Sequence, residues 1–487
     1  MSFKVPLIVR GQVIESDLVE YGGRREAARF RAPALASHLA ALVLEAPSRM
    51  ADLYQISFDE IVAFLGKLGD RLDPDRNTYL QEAFELSRLT SGLSEPILRH
   101  HYRQIPGYFE PRVVRELADR LIGRAYLEGW VEQPAAPQDI SRLRIRAFGA
   151  RAVHVIAGNV PVVGATTVIR NAVTRSDAIV KTPSNDPLTT AAIVRTMVDV
   201  AADHPLTRHV SVAYWKGGDP EIEEYLYDPR RIEKIIAWGG FAGIQSVKRY
   251  LQPGLDLITL DPKHSSSLIG REAFESGSTL QSVARRLALD IGGLNQEGCV
   301  NARVIYVESG TDAAGIERAD QLGALTFAAL QSLPDFLSTP HKAFDRELKA
   351  ELDALSLLED EYRVFGGRRN EGAVIVSRSS QPVDFARQLA CRVGNLVPVD
   401  SLETAVRSVN AYTQTIGIYP ESLKESLRDR LALHGAQRLV SLGAATLHQH
   451  PGPQDGIEPL RRMVKWITEE TFDGRRLDET IAGRLEV

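Results

Sequence analysis

Cys299 is the residue of this chain best suited to covalent chemistry. It lies in the segment Asn295–Asn301, after a predicted helix and just before an apolar strand. A thiol can attack a carbonyl without a strong base, because roughly a few per cent of it is already thiolate near neutral pH. The thioester that forms is activated, so it can accept a hydride or pass to another nucleophile. The alternative is a small buried hydrophobic residue, since free cysteines are among the most buried side chains.

Asn159 is a second candidate for a chemical role. It lies in the segment Gly158–Pro161, between a predicted strand and a helix that opens on Pro161. Its side-chain amide could stabilise a developing oxyanion, which acyl chemistry requires. Asparagine is also a good helix cap, so these residues alone leave both roles open.

Polar residues and glycines follow three more predicted strands. A lysine such as Lys181, which begins the segment Lys181–Ser184, can bind ribose hydroxyls or phosphate, or can simply be solvated. Gly217, Gly239 and Gly240 follow the next two strands. Glycine lets a backbone approach a ligand closely, although any tight turn uses it too. Their repetition at consecutive strand ends indicates a binding edge more strongly than any one segment does.

Other motifs point away from several classes of protein. His448 and His450 lack a cysteine or carboxylate at ligand spacing, so a loop or strand edge without metal is predicted there. Cys391 shares a helical pattern with Phe385 and Leu389 and is predicted to lie in the core. The patterns GxGxxG, GxSxG, HExxH and the P-loop are absent, which removes their catalytic classes as leading candidates.

The elements that would position these residues change in character along the chain. Residues 1–135 are predicted to be mostly helical after a short strand at 5–14, with a capping box at Ser57 and Glu60. After a proline-containing linker, strands and helices alternate from residue 143 to 260, which predicts a parallel sheet covered on both faces. In such sheets ligands bind at the carboxyl ends of strands. An amphipathic helix is predicted over Pro459–Glu470.

These changes predict four segments. They are a mostly helical region at 1–135, a nucleotide-binding domain at 136–264, a catalytic domain with the nucleophilic cysteine at 265–440, and a C-terminal segment at 441–487.

The composition is that of an ordinary globular protein. The 487 residues include 58 basic and 63 acidic side chains, for a net charge of −5, so there is no electrostatic case for binding nucleic acid. Two cysteines cannot form a disulfide framework and suit a reducing compartment. No signal peptide and no membrane span are predicted, and we expect the protein in the cytoplasm.

These segments, in this order, resemble the aldehyde dehydrogenase superfamily. More closely, they resemble the acyl-CoA reductase family typified by the fatty-acid reductase of bacterial luminescence. The resemblance runs from about residue 154 to residue 466 and is densest in two stretches. One is HVIAGNVP at 154–161 with KTPS at 181–184, and the other is QTIGIYPE at 414–421 with DGI at 455–457 and VKW at 464–466.

The resemblance implies an α/β fold like that of aldehyde dehydrogenases. It would combine a Rossmann-type parallel-sheet cofactor domain, a second α/β catalytic domain and a helical N-terminal region. Cys299 would be the nucleophile and Asn159 the oxyanion donor. The implied cofactor-binding residues are Lys181, Thr182, Pro183, Ser184, Gly217, Gly239 and Gly240.

Three positions bear on the cofactor and the direction of the reaction. Ser184 stands where many NAD-using relatives carry a ribose-binding glutamate, which favours NADPH. Thr259 stands where the oxidising relatives carry their general-base glutamate, and a second glutamate that positions nicotinamide is not evident in the segment Gly394–Pro398. An acyl-enzyme without a water-activating base should hydrolyse slowly, which suits a reductase. Asp261 and Glu297 are further acid or base candidates that the sequence does not place.

The implied function is NADPH-dependent reduction of an acyl thioester, of medium or long chain, to an aldehyde through a Cys299-bound acyl-enzyme. The acyl donor would be acyl-CoA or an acyl-protein. The alternatives are aldehyde oxidation with NAD(P)⁺, either acylating or hydrolytic, acyl transfer without nucleotide, and a non-catalytic interaction protein. Implied partners are an acyl-protein synthetase or acyltransferase and further copies of this chain in a homo-oligomer.

Overall fold

The computed structural model describes residues 3–23, 28–134, 136, 141–447 and 451–483. The strands up to residue 260 are, in chain order, β1 (Phe3–Lys4), β2 (Leu7–Val9), β3 (Gln12–Ile14), β4 (Leu18–Gly22), β5 (Arg29–Pro33), β6 (Val131–Glu132), β7 (Ser141–Phe148), β8 (Arg151–Val155), β9 (Asp177–Lys181), β10 (Val210–Ala213), β11 (Lys234–Trp238) and β12 (Asp256–Leu260). The later strands are β13 (His264–Ile269), β14 (Ala302–Val307), β15 (Tyr362–Gly366), β16 (Ala373–Ser377), β17 (Val393–Pro398), β18 (Thr413–Tyr419), β19 (Arg438–Ser441) and β20 (Lys465–Phe472).

The α-helices divide in the same way. The first nine are α1 (Leu39–Leu42), α2 (Phe58–Arg71), α3 (Thr78–Thr90), α4 (Glu95–Tyr108), α5 (Pro111–Leu121), α6 (Arg124–Glu128), α7 (Val162–Val173), α8 (Thr189–Ala201) and α9 (Pro205–Arg208). They are followed by α10 (Pro220–Leu226), α11 (Phe241–Lys248), α12 (Gly277–Gly292), α13 (Ala313–Gln331), α14 (Arg346–Leu355), α15 (Glu403–Ser408), α16 (Glu421–His434), α17 (Pro459–Met463) and α18 (Gly474–Ile481).

The first large sheet has the order β12-β11-β8-β9-β10-β2-β3. Its strands from residue 151 onward are parallel, and the antiparallel hairpin of β2 and β3 extends one edge. The register pairs Val155 with both Lys181 and Ala237, and Lys181 with Ala213. The carboxyl ends of β8, β9, β10 and β11 therefore lie at one edge, which we call the carboxyl edge.

The second large sheet has the order β15-β16-β17-β14-β13-β18-β19 and is parallel except for β15. Its core strands are apolar on both faces, as expected for a parallel sheet covered by helices. The central strands β13, β14 and β18 begin side by side, with Ser265 paired to Ala302 and His264 to Thr413. The predicted alternation of strands and helices is confirmed in both sheets.

The N-terminal helices pack against the first sheet through α7 and α8. The predicted capping box starts α2, where the Ser57 hydroxyl accepts from the Glu60 N–H at 3.2 Å and the Glu60 carboxylate accepts from the Ser57 N–H at 2.7 Å. Phe58, Ile61 and Leu65 on this helix are fully buried in the shared core. The described residues before 135 contain helices α1–α6 but also strands β1–β6. The single strand predicted at 5–14 is instead the hairpin of β2 and β3, which extends the first sheet.

Two further predictions of local structure are wrong. The amphipathic helix predicted over Pro459–Glu470 ends at Met463, and Lys465–Phe472 forms a strand paired antiparallel along all of β7. Pairing with a distant strand outweighs the local helical periodicity there, since strand propensity depends strongly on context. Cys391 is buried as predicted, but only Ala386–Gln388 forms a helical turn, and Cys391 itself has φ +56°.

In the described part of the chain, no helix has both the length and the apolar character needed to cross a membrane.

Candidate active site

Cys299 lies on a loop, residues 293–301, which we call the nucleophile loop. It connects α12 to β14, as predicted. Leu294, Asn295 and Gln296 have φ angles of +55°, +50° and +63°. Non-glycine residues in this left-handed region cost roughly 1–2 kcal/mol each, so the conformation must be held by other contacts.

Asn301 fixes both ends of the nucleophile loop. Its side-chain nitrogen donates to the carbonyls of Asp290 and Gly293 at 3.1 and 2.8 Å, and its side-chain oxygen accepts from the Gly298 N–H at 3.1 Å. The residue is 0% exposed. Three hydrogen bonds inside a buried region offset the backbone strain and leave the loop a single arrangement.

Gln296 ties the same loop to the sheet. Its side-chain nitrogen donates to the carbonyls of Ala302 and Val393 at 3.0 and 2.9 Å, and its oxygen accepts from the Val393 N–H at 2.8 Å. Sequence analysis did not identify this support. The sequence feature that could have indicated this role is the group of amide side chains near Cys299, since buried amides need hydrogen-bond partners.

The Cys299 side chain is partly accessible and lies among polar groups. The Ser265 hydroxyl donates to the Cys299 carbonyl at 2.7 Å, which holds the backbone at the start of β13. Burial raises the pKa of the Cys299 thiol, and the nearby Asp455 carboxylate raises it further. A hydrogen bond from Gln414 and the charge of Arg303 act in the opposite direction.

Asn159 does not cap a helix, because α7 begins at Val162 with Pro161 in the capping position. Instead its side-chain nitrogen donates to the Glu297 carbonyl at 3.4 Å. Its side-chain oxygen is buried without a hydrogen-bond partner among the described residues. The structure therefore brings Asn159 to the nucleophile loop. It contacts the loop at Glu297, two residues before Cys299.

The segment that carries Asn159 is braced by the loop after β9. The Asn185 side-chain nitrogen donates to the Gly158 carbonyl at 2.8 Å. A Cβ placed on Gly158 would lie 2.3 Å from the Asn185 side-chain oxygen and 2.6 Å from the Pro183 ring. A glycine is needed for this close approach, and Pro183 packs against the segment that carries Asn159.

Lys181, Thr182 and Gly217 meet at the carboxyl edge. The Lys181 ammonium lies 5.3 Å from the centre of the Trp215 ring. A Cβ placed on Gly217 would lie 3.9 Å from the Lys181 Nζ. Burial lowers the pKa of Lys181, while the Glu223 carboxylate raises it. The Thr182 hydroxyl is buried and has no partner within the described ranges. A cation and an unpaired hydroxyl at a strand end are suited to ribose or phosphate.

Gly239 and Gly240 occupy the same edge two strands away. A Cβ placed on either glycine would meet no atom within 4 Å, so both face open space. Gly240 directly precedes α11, which has no side-chain cap, and the N–H groups of the first turn are thus available to an anion. Ser184 is partly exposed on the loop after β9.

Neither Thr259 nor the segment Gly394–Pro398 supplies a carboxylate. Thr259 lies within β12, paired with Ala237. Asn395 is buried in β17, where its side-chain oxygen accepts from the Val383 N–H at 2.9 Å and its nitrogen donates to the Ser377 hydroxyl at 3.1 Å. The Asn395 side chain is therefore engaged in hydrogen bonds within the scaffold.

Glu297 is paired rather than free to act as a base. Its carboxylate lies 3.1 Å from the His341 imidazole Nε2. Burial lowers the pKa of His341, but hydrogen bonds with Cys391 and Glu297 outweigh it and raise the pKa to about 9. Burial raises the pKa of Asp455 and the charge of Asp261 raises it further, whereas a hydrogen bond with Gln414 and the charge of Lys263 lower it.

The described ranges contain no group of three or more histidine, cysteine or carboxylate side chains that could hold a metal ion. His448 and His450 lie outside the described residues.

A family model described as acyl-CoA reductase (LuxC) matches residues 53–466. The chain is also similar to the long-chain acyl-protein thioester reductase of Aliivibrio fischeri. The two are 27% identical over 443 residues, which cover 86% of this chain and 84% of that protein.

Solved structures support the fold. Aldehyde dehydrogenase 21 from Physcomitrella patens, in complex with succinate, superimposes with a TM-score of 0.73 at 14% identity, covering 97% of this chain and 99% of that one. The NADP-dependent glyceraldehyde-3-phosphate dehydrogenase of Bacillus halodurans C-125, complexed with NADP, gives a TM-score of 0.71 at 13% identity and covers 97% and 100%. The fold is that of aldehyde dehydrogenases, as predicted.

Proposed function

Since this chain belongs to the acyl-CoA reductase (LuxC) family, we propose that it reduces an acyl thioester to an aldehyde through an acyl-enzyme on Cys299, with NADPH as reductant. One observation supports this most directly. The Asn159 amide reaches the backbone of the nucleophile loop at Glu297, so an acyl-accepting thiol and an oxyanion donor share one site.

The first step is attack of the Cys299 thiolate on the acyl carbonyl carbon. The carbonyl oxygen becomes an oxyanion, which the Asn159 side-chain N–H and the Cys299 backbone N–H would stabilise. As the carbonyl re-forms, the bond to the departing thiol breaks and the acyl group remains on Cys299. The fixed nucleophile loop places the sulfur for this attack without reorganisation.

The carboxyl edge is suited to hold the reductant. Lys181 and the Thr182 hydroxyl would bind the adenosine ribose, and the open backbone at Gly239 and Gly240 would bind the pyrophosphate. Ser184 carries no charge to repel a 2′-phosphate, which supports NADPH over NADH. When bound, the reduced nicotinamide supplies the hydride that takes the acyl group to the aldehyde level.

The absence of a glutamate at Thr259 supports reduction rather than hydrolysis. A threonine hydroxyl cannot take a proton from water at neutral pH, since only groups with a pKa near the operating pH are effective bases. The acyl-enzyme therefore persists until it is reduced. Collapse of the thiohemiacetal then releases the aldehyde and returns the electron pair of the C–S bond to the Cys299 sulfur.

The relative from Aliivibrio fischeri is named for an acyl-protein substrate. We extend that class to this chain and propose a long-chain acyl group carried by a protein or by CoA. An acyl-protein synthetase or acyltransferase would supply it, and the enzyme would work as a homo-oligomer. Both cysteines are unpaired, which suits the reducing cytoplasm.

The test uses the two cysteines as a matched pair. Cys299→Ala should abolish both acylation of the protein by labelled tetradecanoyl-CoA and the accompanying oxidation of NADPH. Cys391→Ala, which changes the buried cysteine, should retain both. If Cys299→Ala keeps either activity, the proposed acyl-enzyme is excluded.

A further inference from the structure

A buried amide, Gln414, lies against the nucleophile. It is the second residue of β18 and is 6% exposed. The Ser265 hydroxyl donates to the Cys299 carbonyl at 2.7 Å and accepts from the Thr415 N–H at 3.1 Å, so one side chain joins the start of β18 to the nucleophile loop. Gln414 lies close enough to the Cys299 side chain to lower the pKa of its thiol.

Asp455 fixes which end of this amide faces the sulfur. The Gln414 side-chain nitrogen donates to the Asp455 carboxylate at 2.5 Å. An ionised carboxylate only accepts hydrogen bonds, so it selects the NH₂ end of the amide. The Gln414 side-chain oxygen is buried and has no partner in the part of the chain that the structure describes. The amide nitrogen keeps a second hydrogen, which is available to the sulfur.

The turn that carries Asp455 is itself anchored. Gln454 and Ile457 exchange two backbone hydrogen bonds of 2.8 and 3.0 Å around it, and Asp455 has φ +53°. The Arg170 guanidinium on α7 donates to the Gln454 side-chain oxygen at 2.9 Å. The same helix follows the segment of Asn159, so one helix supports both groups at the thiol.

We propose that Gln414 is a catalytic residue that donates an amide hydrogen to the Cys299 thiolate, and that Asp455 is its positioning residue. This inference rests on the proposed acyl-enzyme chemistry. The sulfur carries negative charge twice in each cycle, before it attacks the acyl carbon and after the aldehyde leaves. An N–H directed at sulfur stabilises both states.

The charges around the sulfur define what an experiment should show. Among the described residues, the acidic Asp455 and the basic Arg303 on β14 and Arg438 on β19 interact electrostatically with the Cys299 thiol. The charge of Asp455 raises the pKa of the thiol, whereas the Gln414 hydrogen bond lowers it. Asp455 thus acts on the thiol in two opposite ways, directly by charge and indirectly through Gln414.

The first experiment measures the thiol directly, without turnover. Full-length protein is alkylated with iodoacetamide over a range of pH, and mass spectrometry follows the separate tryptic peptides 287–303 and 388–392, which carry Cys299 and Cys391. Gln414→Leu should move the alkylation midpoint of Cys299 upward by about one pH unit or more. The remote control Gln331→Leu, on the end of α13, should leave it unchanged.

The second experiment tests the positioning role by a double-mutant cycle. In the Gln414→Leu background, Asp455→Ala removes only the repulsive charge and should lower the midpoint. With Gln414 present, the same change also frees the amide, so the midpoint should fall less or rise. Additive shifts would exclude the positioning role, and an unmoved midpoint in Gln414→Leu would exclude the catalytic one. If Asp455→Ala does not fold, Asp455→Asn replaces it in the same cycle.

These outcomes separate this inference from the proposed function. A reactive Cys299 with the expected midpoint shifts supports the Gln414–Asp455 pair even if the Cys299→Ala protein still oxidises NADPH. Conversely, loss of activity in Cys299→Ala with unmoved midpoints would retain the acyl-enzyme and overturn the pair.

Discussion

The two large sheets present opposite kinds of surface to the candidate active site. At the carboxyl edge of the first sheet, Gly239 and Gly240 face open space, and the buried Thr182 hydroxyl has no partner in the described residues. At the second sheet, the loop of the nucleophile is held by buried amides with complete hydrogen bonding, as for Asn301. The unpaired hydroxyl and the open glycines of the first sheet are suited to a ligand, whereas the fully bonded amides of the nucleophile loop give covalent chemistry a rigid support.

The largest effect should come from the residue that joins the two sheets. Asn159→Ala removes the side-chain donor to the oxyanion, and kcat for the acyl thioester should fall roughly a hundredfold, equivalent to about 3 kcal/mol. Steady-state kinetics with acyl-CoA and NADPH measure it, and Asn410→Ala at an exposed site serves as the control. A kcat within twofold of the unchanged protein would exclude Asn159 as the oxyanion donor.

The contrast in rigidity predicts a contrast in stability. Asn301→Ala breaks three buried hydrogen bonds and should lower the free energy of unfolding by about 3 kcal/mol. Lys181→Met at the carboxyl edge should change the free energy of unfolding by less than about 1 kcal/mol. The partly buried Lys181 ammonium has no hydrogen bonds in the described residues comparable to those of Asn301. Urea denaturation of both variants measures the difference. Equal losses of unfolding free energy would show that the carboxyl edge and the nucleophile loop are equally rigid.

The Glu297–His341 pair makes the stability of the nucleophile loop depend on pH. The folded pKa of His341 is about 9, above the ordinary 6.5, so the protonated imidazole is favoured in the folded state. This contribution is complete below about pH 6.5 and is lost as the pH rises to 9, by about 1–3 kcal/mol. Unfolding measured at pH 6 and pH 9 checks it, and His341→Gln should remove most of the difference. A variant with the same pH slope would assign it to other groups.

The smallest effect concerns the open edge alone. Ser184→Glu places a carboxylate where a 2′-phosphate is expected, and the preference for NADPH over NADH should fall about tenfold through repulsion. Comparing KM for the two nucleotides measures it. Serine replaced by glutamine adds similar bulk without charge and should change the preference much less. Unchanged selectivity in both variants would place the 2′-phosphate elsewhere.

Sequence patterns predicted the elements that depend on local information. The capping box of Ser57 and Glu60 starts α2, and a helix follows Pro161, as their local sequences predicted. The strand Lys465–Phe472 was not predictable in this way, because its partner lies more than three hundred residues earlier in the chain.

The same distinction applies to the candidate site. Cys299 and Asn159 were identifiable by residue type and by their position at element ends. Gln296 and Gln414 were not identified as functional, since the value of a buried amide depends on distant partners such as Val393 and Asp455. Residue type alone does not distinguish such an amide from a surface one.

The long hydrogen bond of Asn159 has a consequence for how substrate enters. In the free protein this amide rests on a peptide oxygen at 3.4 Å, a distance at which it is aimed but weakly engaged. An arriving carbonyl oxygen therefore competes with a poor acceptor instead of a full shell of water. Breaking the weak hydrogen bond to Glu297 costs little free energy. The new hydrogen bond becomes stronger as negative charge grows on the incoming oxygen. The Asn159 amide is thus preorganised before the substrate binds.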